Sequence, residues 1–253
     1  MTIRLVAFDL DDTLALSKTA IEPSMAAALA RLLEVSDVAI ISGGAWPQFD
    51  QQVLERLPAT ADLGRLHILP TCGMRYRRYL DGQWCDVYQH FLTDDEKTAA
   101  IASVTKHAKE LGAWEPDAKL SGDRIEDRGS QITYSALGQL AKPADKAAWD
   151  PSGAKRHALR DAVAADLPDL SVAAGGSTSI DITRRGVDKA YGMKSLAEVT
   201  GIPLADMVFV GDRTEPGGND YPVVELGVVT ITVTGWRDTL DVIDDICKQL
   251  EVQ

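Results

Sequence analysis

Two hydrophobic periods divide the chain. Near its start, "IRLVAFDL" (3–10) and "DVAIISG" (37–43) are short, almost unbroken apolar runs, the pattern of strands covered on both faces. Between them "PSMAAALARLLEV" (23–35) repeats Met, Ala and Leu at helical spacing behind Pro23, a residue suited to a first helical turn. "AWPQFDQQVLERL" (45–57) predicts a second helix and "LHILP" (66–70) a third strand. Strand, helix, strand, helix, strand in that order implies a parallel sheet with helices on its faces.

The middle of the chain alternates differently. "MRYRRYLDGQWCDVY" (74–88) is two half-polar strands around Asp81-Gly82, a hairpin signal. A helix is predicted over 93–112, with a capping box from Thr93 to Glu96 and Gly112 as its stop. A strand pair at 123–137, a helix at 151–168 and two strands within 170–183 follow, which together describe an antiparallel α+β unit. After Gly186 the first pattern resumes: a helix at 187–201, buried strands "MVFVGD" (207–212) and "VVTITV" (228–233), and an amphipathic helix at 236–250. The expected fold class is therefore α/β, a discontinuous parallel-sheet core from 1–82 and 187–253 interrupted by an inserted α+β cap at 83–186. No repeat or low-complexity segment interrupts this pattern.

At 253 residues, 45% hydrophobic and 25% charged, the chain is long enough for one large domain or two smaller ones. The formal net charge of −12 argues against a general affinity for nucleic acid or an anionic membrane. Any phosphate must then be held by a local group of positive or N–H donors. No apolar run approaches a membrane span, and "MTIRLVAF" enters a strand at once without the features of a signal peptide. Cys72, Cys85 and Cys247 are odd in number and lack metal-type spacing, so reduced thiols and a cytoplasmic location are expected.

The candidate chemistry gathers at strand ends. In an open parallel sheet the ligand crevice lies beyond the carboxyl ends of the strands. Four predicted strands end there in polar signals: Asp9-Leu10-Asp11, Ser42-Gly43-Gly44, Thr71-Cys72-Gly73 and Gly211-Asp212. Asp9 and Asp11 are two apart and face the same way on an extended backbone. With Asp212 they make an oxygen-only group of high negative charge, which suits Mg2+. Without Asp212 the same acids would read as a turn or a helix cap. Ser42 with Gly43 and Gly44 offers a hydroxyl and backbone N–H groups before a helix, an anion-binding arrangement that is also a common turn. Lys189 stands in the first turn of its helix, against the helix dipole; it is either a functional cation or a solvated surface lysine. "GDRTEPGGND" (211–220) is a long Gly-Pro loop with three acids and Asn219, the composition of a site more than of a connector. Trp46, Trp84, Trp149 and Trp236 read as packing residues, and the four histidines as surface or satisfied groups.

These residues resemble the haloacid dehalogenase superfamily of phosphoryl-transfer enzymes. "DLDDT" looks like its DxDxT signature, Ser42 its second motif, Lys189 its third and "GDRTEPGGND" its fourth, in order and at predicted strand ends. The insertion after the third strand resembles the α/β-capped subclass with its Rossmann-like core. Within that subclass the likeness is to eukaryotic-type phosphomannomutases, carried by "GGSTSIDITRRGVDKAY" (175–191), "FVGDRTEPGGNDYPV" (209–223) and "RIEDRGSQITYSALGQ" (124–139).

The resemblance implies that Asp9 is the nucleophile forming an aspartyl phosphate and Asp11 the general acid and base. It implies that Asp9, Asp11 and Asp212 hold Mg2+, and that Ser42, Gly43 and Lys189 hold the transferring phosphoryl group. The sugar phosphate would be gripped by Arg128, Ser179 and Asp181 of the cap, with Asn219 from the core loop. Three grip positions depart from the family: arginines fall on Lys18, Gln139 and Lys146. Lysine is a point charge and glutamine is neutral, so a second phosphate is held less well, by about a few kcal/mol for each lost forked contact. Arg124, Arg184 and Arg185 are alternative sources of that charge. The function expected is hydrolysis of a small sugar phosphate; the alternative is a phosphomannomutase interconverting mannose 1-phosphate and mannose 6-phosphate. A homodimer through the cap is implied by the resemblance alone.

Overall fold

The computed structural model describes residues 2–251. They form two compact units: residues up to Gln89 together with those from Val187 onward, and His90–Gly186.

The first unit begins with β1 (Leu5–Phe8), α1 (Pro23–Val35), β2 (Asp37–Ile41), α2 (Trp46–Gln52), β3 (Leu66–Leu69), β4 (Arg75–Leu80) and β5 (Gln83–Gln89). The second unit follows with α3 (Asp94–Glu110), β6 (Ile125–Asp127), β7 (Gln131–Ser135), α4 (Pro143–Trp149), α5 (Ala154–Asp166), β8 (Leu170–Ala174) and β9 (Ser179–Arg184). The chain then returns to the first unit through α6 (Lys189–Thr200), β10 (Met207–Gly211), α7 (Tyr221–Glu225), β11 (Val229–Thr232) and α8 (Trp236–Glu251).

The first sheet has the order β11-β10-β1-β2-β3-β4-β5, parallel from β11 to β3 and antiparallel through the β4–β5 hairpin. Its central strands are almost wholly apolar because both faces are covered. Val6, Phe8, Val38, Ile40, Val208 and Val210 join one core with Met25, Leu29 and Leu32 of α1 and Ile243 of α8. Leu5, Ala7, Ala39, Ile41, Met207 and Phe209 join another with Met193 and Leu196 of α6. From β1 the chain winds outward to β3, then returns on the other side of β1 with β10 and β11. The strand order thus reverses between β1 and β10, where an open α/β sheet forms its ligand crevice.

The second unit is a four-stranded antiparallel sheet, β6-β7-β9-β8, with α3 and α5 on one face. Ile132, Tyr134, Ile180 and Ile182 pack there against Ala100, Val104, Leu159 and Val163. The capping box at Thr93 and Glu96 is formed, with Glu96 N–H donating to Thr93 Oγ1 at 3.2 Å.

Three details differ from the sequence-based expectation. The hairpin expected at 74–88 lies wholly in the first unit, which therefore runs to Gln89 instead of ending at 82, because β4 pairs with β3 and carries β5 with it. The helix expected over 45–57 stops at Gln52 and gives way to a single tight turn at Leu54–Arg56. The helix α4 was not expected, being only two turns long and too short to show a period. Among the described residues no helix is long and apolar enough to cross a membrane, and Cys72, Cys85 and Cys247 are free thiols.

Candidate active site

Asp9 is the first residue beyond β1, and its N–H donates to Val210 O at 3.0 Å, tying the end of β1 to β10. Asp212 follows directly on β10. Lys189 enters from the first turn of α6, whose N-cap Asp188 accepts from Tyr191 N–H at 2.9 Å and so fixes where the helix starts. The Lys189 ammonium lies 2.6 Å from Asp9 Oδ1 and also binds Asp220 Oδ1. All three groups are buried. Carboxylate oxygens of Asp9, Asp212 and Asp220 lie within 4.8 Å of one another.

Asp220 completes this cluster and was not singled out by the sequence reading. It is delivered by the curl of the 211–220 loop, in which Asp220 N–H donates to Arg213 O at 3.1 Å and Arg213 N–H donates to Asp220 Oδ2 at 3.1 Å. Two glycines make the curl possible: a side chain at Gly218 would strike the Arg213 carbonyl, and one at Gly211 would strike Asp220 Oδ2. Asn219, the residue expected to bind phosphate, is exposed, while its neighbour points inward. The signal available in the sequence was the pairing of a buried lysine with an acid beyond Gly-Gly, which composition alone does not rank.

One ammonium faces three carboxylates here, and the titrations follow from that imbalance. Burial pushes Asp9 up to about 7, with the Lys189 charge pulling it back and the Asp220 charge adding to the rise. Burial and the Asp220 charge likewise raise Asp212. Burial would strip the proton from Lys189, but Asp9 and Asp220 outweigh it and hold the ammonium charged. Such a set of hard oxygen donors, with negative charge in excess, fits a hard divalent cation.

Asp11 does not join that group, although it was expected beside Asp9 as a metal ligand. The chain leaves the extended state at a bend on Leu10, so the two-residue alternation no longer puts positions 9 and 11 on one face. The Asp11 carboxylate instead accepts from Lys18 Nζ at 2.8 Å, Lys18 N–H at 2.8 Å and Gln48 Nε2 at 3.0 Å. Burial alone would raise its pKa; the Lys18 charge and these donors overcome that and hold it below the ordinary value. Lys18 Nζ also donates to Gln48 Oε1 at 2.8 Å. The residue expected to grip phosphate is therefore engaged by Asp11 and Gln48 in this structure.

Ser42 follows β2 on the same edge, buried, and Gly44 N–H donates to its Oγ at 3.2 Å. Gly43 stands between them, and a side chain built there would meet nothing within 4 Å. The loop after β3 braces this turn: Thr71 N–H donates to Gly44 O at 3.0 Å and Cys72 N–H to Ser42 O at 2.9 Å. Thr71 and Cys72 both adopt positive φ, 47° and 55°, a conformation costing a non-glycine residue about 1–2 kcal/mol.

The expected residues of the second unit fall in two places. Arg128 lies in the β6–β7 turn and donates Nη2–H to Glu126 Oε2 at 2.8 Å. Ser179 and Asp181 lie on β9, with Ser179 paired to Ser135 at the far end of β7. Asp181 Oδ1 accepts from Gln131 Nε2 at 2.8 Å and Thr133 Oγ1 at 2.7 Å. Lys146 donates to Gln139 O at 2.9 Å.

Residues 95–249, well over half of the chain, match the family model described as eukaryotic phosphomannomutase. The chain is 25% identical over 246 residues to a phosphomannomutase of Dendrobium officinale, covering 94% of this chain and 91% of that one. Among solved structures it is similar to a haloacid dehalogenase-like hydrolase from Bacteroides thetaiotaomicron, with a TM-score of 0.65, 15% identity, and coverage of 97% of this chain and 100% of that one. It is also similar to a C-terminally truncated IMP-nucleotidase of Plasmodium falciparum, with a TM-score of 0.72 at 14% identity over 98% of this chain and 72% of that one.

Proposed function

The chain belongs to the eukaryotic phosphomannomutase family, an enzyme family of the haloacid dehalogenase superfamily, and on that premise we propose that it hydrolyses a small sugar phosphate through an aspartyl phosphate at Asp9. The observation that carries this reading is the buried Lys189 held between Asp9 and Asp220 at the point where β1 and β10 end. A nucleophilic carboxylate needs its charge tolerated, and a fixed ammonium 2.6 Å away pulls its pKa back against burial.

In the first step Asp9 Oδ attacks phosphorus, an O–P bond forms to Asp9, and the bond from phosphorus to the sugar oxygen breaks. The proton for that leaving oxygen is assigned to Asp11, whose carboxylate must first leave Lys18 and Gln48 and take up a proton from solvent, since its contacts in this structure favour the charged form. In the second step Asp11 takes a proton from water as the water oxygen attacks phosphorus, and the Asp9–phosphorus bond breaks to release phosphate. Ser42 and the N–H of Gly43 would hold the phosphoryl oxygens, with Lys189 opposing their growing charge. Asp9, Asp212 and Asp220 would hold Mg2+, which when bound supplies positive charge to the transferring group. The setting proposed is the cytoplasm, where the three thiols stay reduced.

The mutase alternative is favoured by the family itself. Against it stand Lys18, already engaged by Asp11 and Gln48, and the neutral Gln139, because a mutase must retain a bisphosphate while it turns. The test is a paired assay with Mg2+ and mannose 1-phosphate, with and without a catalytic amount of hexose 1,6-bisphosphate, following free phosphate and mannose 6-phosphate together. Free phosphate without isomer, abolished in Asp9→Asn, is the expected result. Isomer that requires the bisphosphate would establish the mutase instead, and turnover that survives Asp9→Asn would sink both.

A further inference from the structure

Three successive residues of the loop after β3 lie in the left-handed region: Thr71 at φ 47°, Cys72 at 55° and Gly73 at 90°. Only the third is a glycine, and a β-branched threonine there is an outlier. Strain of this kind persists where the surroundings over-determine it, and here they do so on three sides. On one side is the turn after β2, bound through Thr71 N–H to Gly44 O and Cys72 N–H to Ser42 O. On the second is α6. Gly192 comes three residues after Lys189 and lies on nearly the same face of the helix. A Cβ on Gly192 would stand 3.0 Å from Cys72 O and 3.3 Å from Ile41 Cγ2, and one on Gly73 would meet Gly192 Cα at 2.5 Å. On the third side is β5, where the Tyr88 hydroxyl donates to Gly73 O at 2.7 Å.

The loop therefore meets both the turn that carries Ser42 and the helix that carries Lys189, backbone against backbone, with no flexible side chain between them. Its N–H groups at 71 and 72 face the turn, and the Cys72 carbonyl faces α6. A relaxed, right-handed course would withdraw those N–H groups from Ser42 O and Gly44 O.

We propose that Thr71–Gly73 is a positioning element for phosphoryl transfer: it fixes the distance between the Ser42 turn and Lys189, the two sides from which a phosphoryl group is held, and Tyr88 fixes the element itself. The inference rests on the phosphoryl-transfer reading above and adds to it residues that touch neither phosphate nor cation. Cys72 acts here through its backbone and not its thiol. Gly192 acts through the side chain it lacks, which lets α6 seat Lys189 against the loop. Holding both sides in place during folding removes that ordering cost from the reaction.

The test uses the full chain with Mg2+ and p-nitrophenyl phosphate, whose leaving group departs without a proton, so that kcat/KM reads transfer to Asp9 without Asp11. Cys72→Val forces a β-branched side chain into the left-handed region, whereas Cys72→Asn places there a residue that tolerates it. Gly192→Ala suits a helix but crowds Cys72 O. We expect kcat/KM to fall roughly tenfold in Cys72→Val and in Gly192→Ala, to fall less in Tyr88→Phe, and to stay near the native value in Cys72→Asn. In the double variant of Cys72→Val and Gly192→Ala the loss should be smaller than the product of the two, because both act through one loop. Arg65→Met, at the opposite edge of the sheet, is the control for lost stability alone, and melting curves check that each variant is folded. Calorimetric binding of inorganic phosphate should follow the same order of variants, a readout apart from turnover. Three results would overturn the inference: losses no greater than that of Arg65→Met, a Cys72→Asn protein as impaired as Cys72→Val, or full multiplication of the two losses in the double variant. Phosphate binding in the expected order without release of p-nitrophenol would remove the hydrolytic reading and leave the inference standing. A native protein that neither binds phosphate nor releases p-nitrophenol would overturn both.

Discussion

The two edges of the seven-stranded sheet each set acid beside base, and they solve the problem in opposite ways. At the carboxyl edge, Asp9, Asp212 and Asp220 crowd around the single Lys189, and burial pushes Asp9 and Asp212 above the usual carboxylate range. At the amino edge, Asp37 opens β2 beside Arg65 at 3.0 Å and His67 at 3.5 Å. Burial opposes its charge there too, but its contacts with His67 and Arg65 prevail and its pKa is lowered. The amino edge is balanced and closed, since His67 Nδ1 also meets the Tyr76 hydroxyl at 2.5 Å. The carboxyl edge is left with more negative charge than the protein itself answers. That deficit is what the proposed cation would answer, and burial of acids alone does not create it.

The largest test of this contrast removes the cation on each edge. Lys189→Met leaves buried carboxylates with no counter-charge, and we expect it to destabilise the protein by about 3–5 kcal/mol and to lower phosphate release about a thousandfold. Arg65→Met, at a half-exposed pair, should cost within about 1 kcal/mol and leave turnover intact. Urea unfolding at pH 7 without divalent ions, paired with the phosphate assay, reads both. Equal costs on the two edges would erase the distinction.

A smaller effect tests the charge deficit directly. Mg2+ at about a hundred times its dissociation constant should stabilise the native chain by about 2.7 kcal/mol, a rise in melting temperature of roughly 5–10 °C. Asp212→Asn should abolish most of that rise, whereas Asp37→Asn should melt lower but keep it. A rise that survives Asp212→Asn would place the cation elsewhere.

The carboxyl edge was legible in part because strand ends mark themselves. Asp9, Ser42 and Asp212 each follow an apolar run directly, so their placement required only the parallel order of β1, β2 and β10. Lys189 was legible from its conflict with the helix dipole. Asp220 was not, because its position depends on a loop closing on Arg213 through two glycines that lack room for a side chain, a tertiary fact with no period. Asp11 misled for a related reason: the two-residue alternation holds only while the backbone stays extended, and it ends at Leu10. On the amino edge, His67 was legible only as a satisfied group, since its partners Asp37 and Tyr76 come from different strands.

The smallest effect is the response of the amino edge to acid. Burial lowers the His67 pKa from 6.5, with Asp37 opposing and Arg78 adding to the fall. The folded protein therefore binds this proton more weakly than the unfolded chain. Between 6.5 and the lower folded value the unfolded chain carries more protons, so stability falls as pH drops below about 6.5 and levels off once the folded pKa is passed. The Asp37 titration lies below 3.8 and does not enter this window. Asp9, pushed up to about 7, acts there with the opposite sign: the folded state binds its proton more tightly, and acid favours folding. The two edges thus partly cancel in the native protein, and a single pH profile would not reveal either. The difference between profiles does. Relative to the native chain, His67→Gln should lose a positive slope of stability with pH, by at most about 1.4 kcal/mol per pH unit, between pH 6.5 and 5. If urea midpoints for the two proteins run parallel across that range, His67 is protonated in the fold and the amino edge is not the balanced neutral cluster its geometry describes.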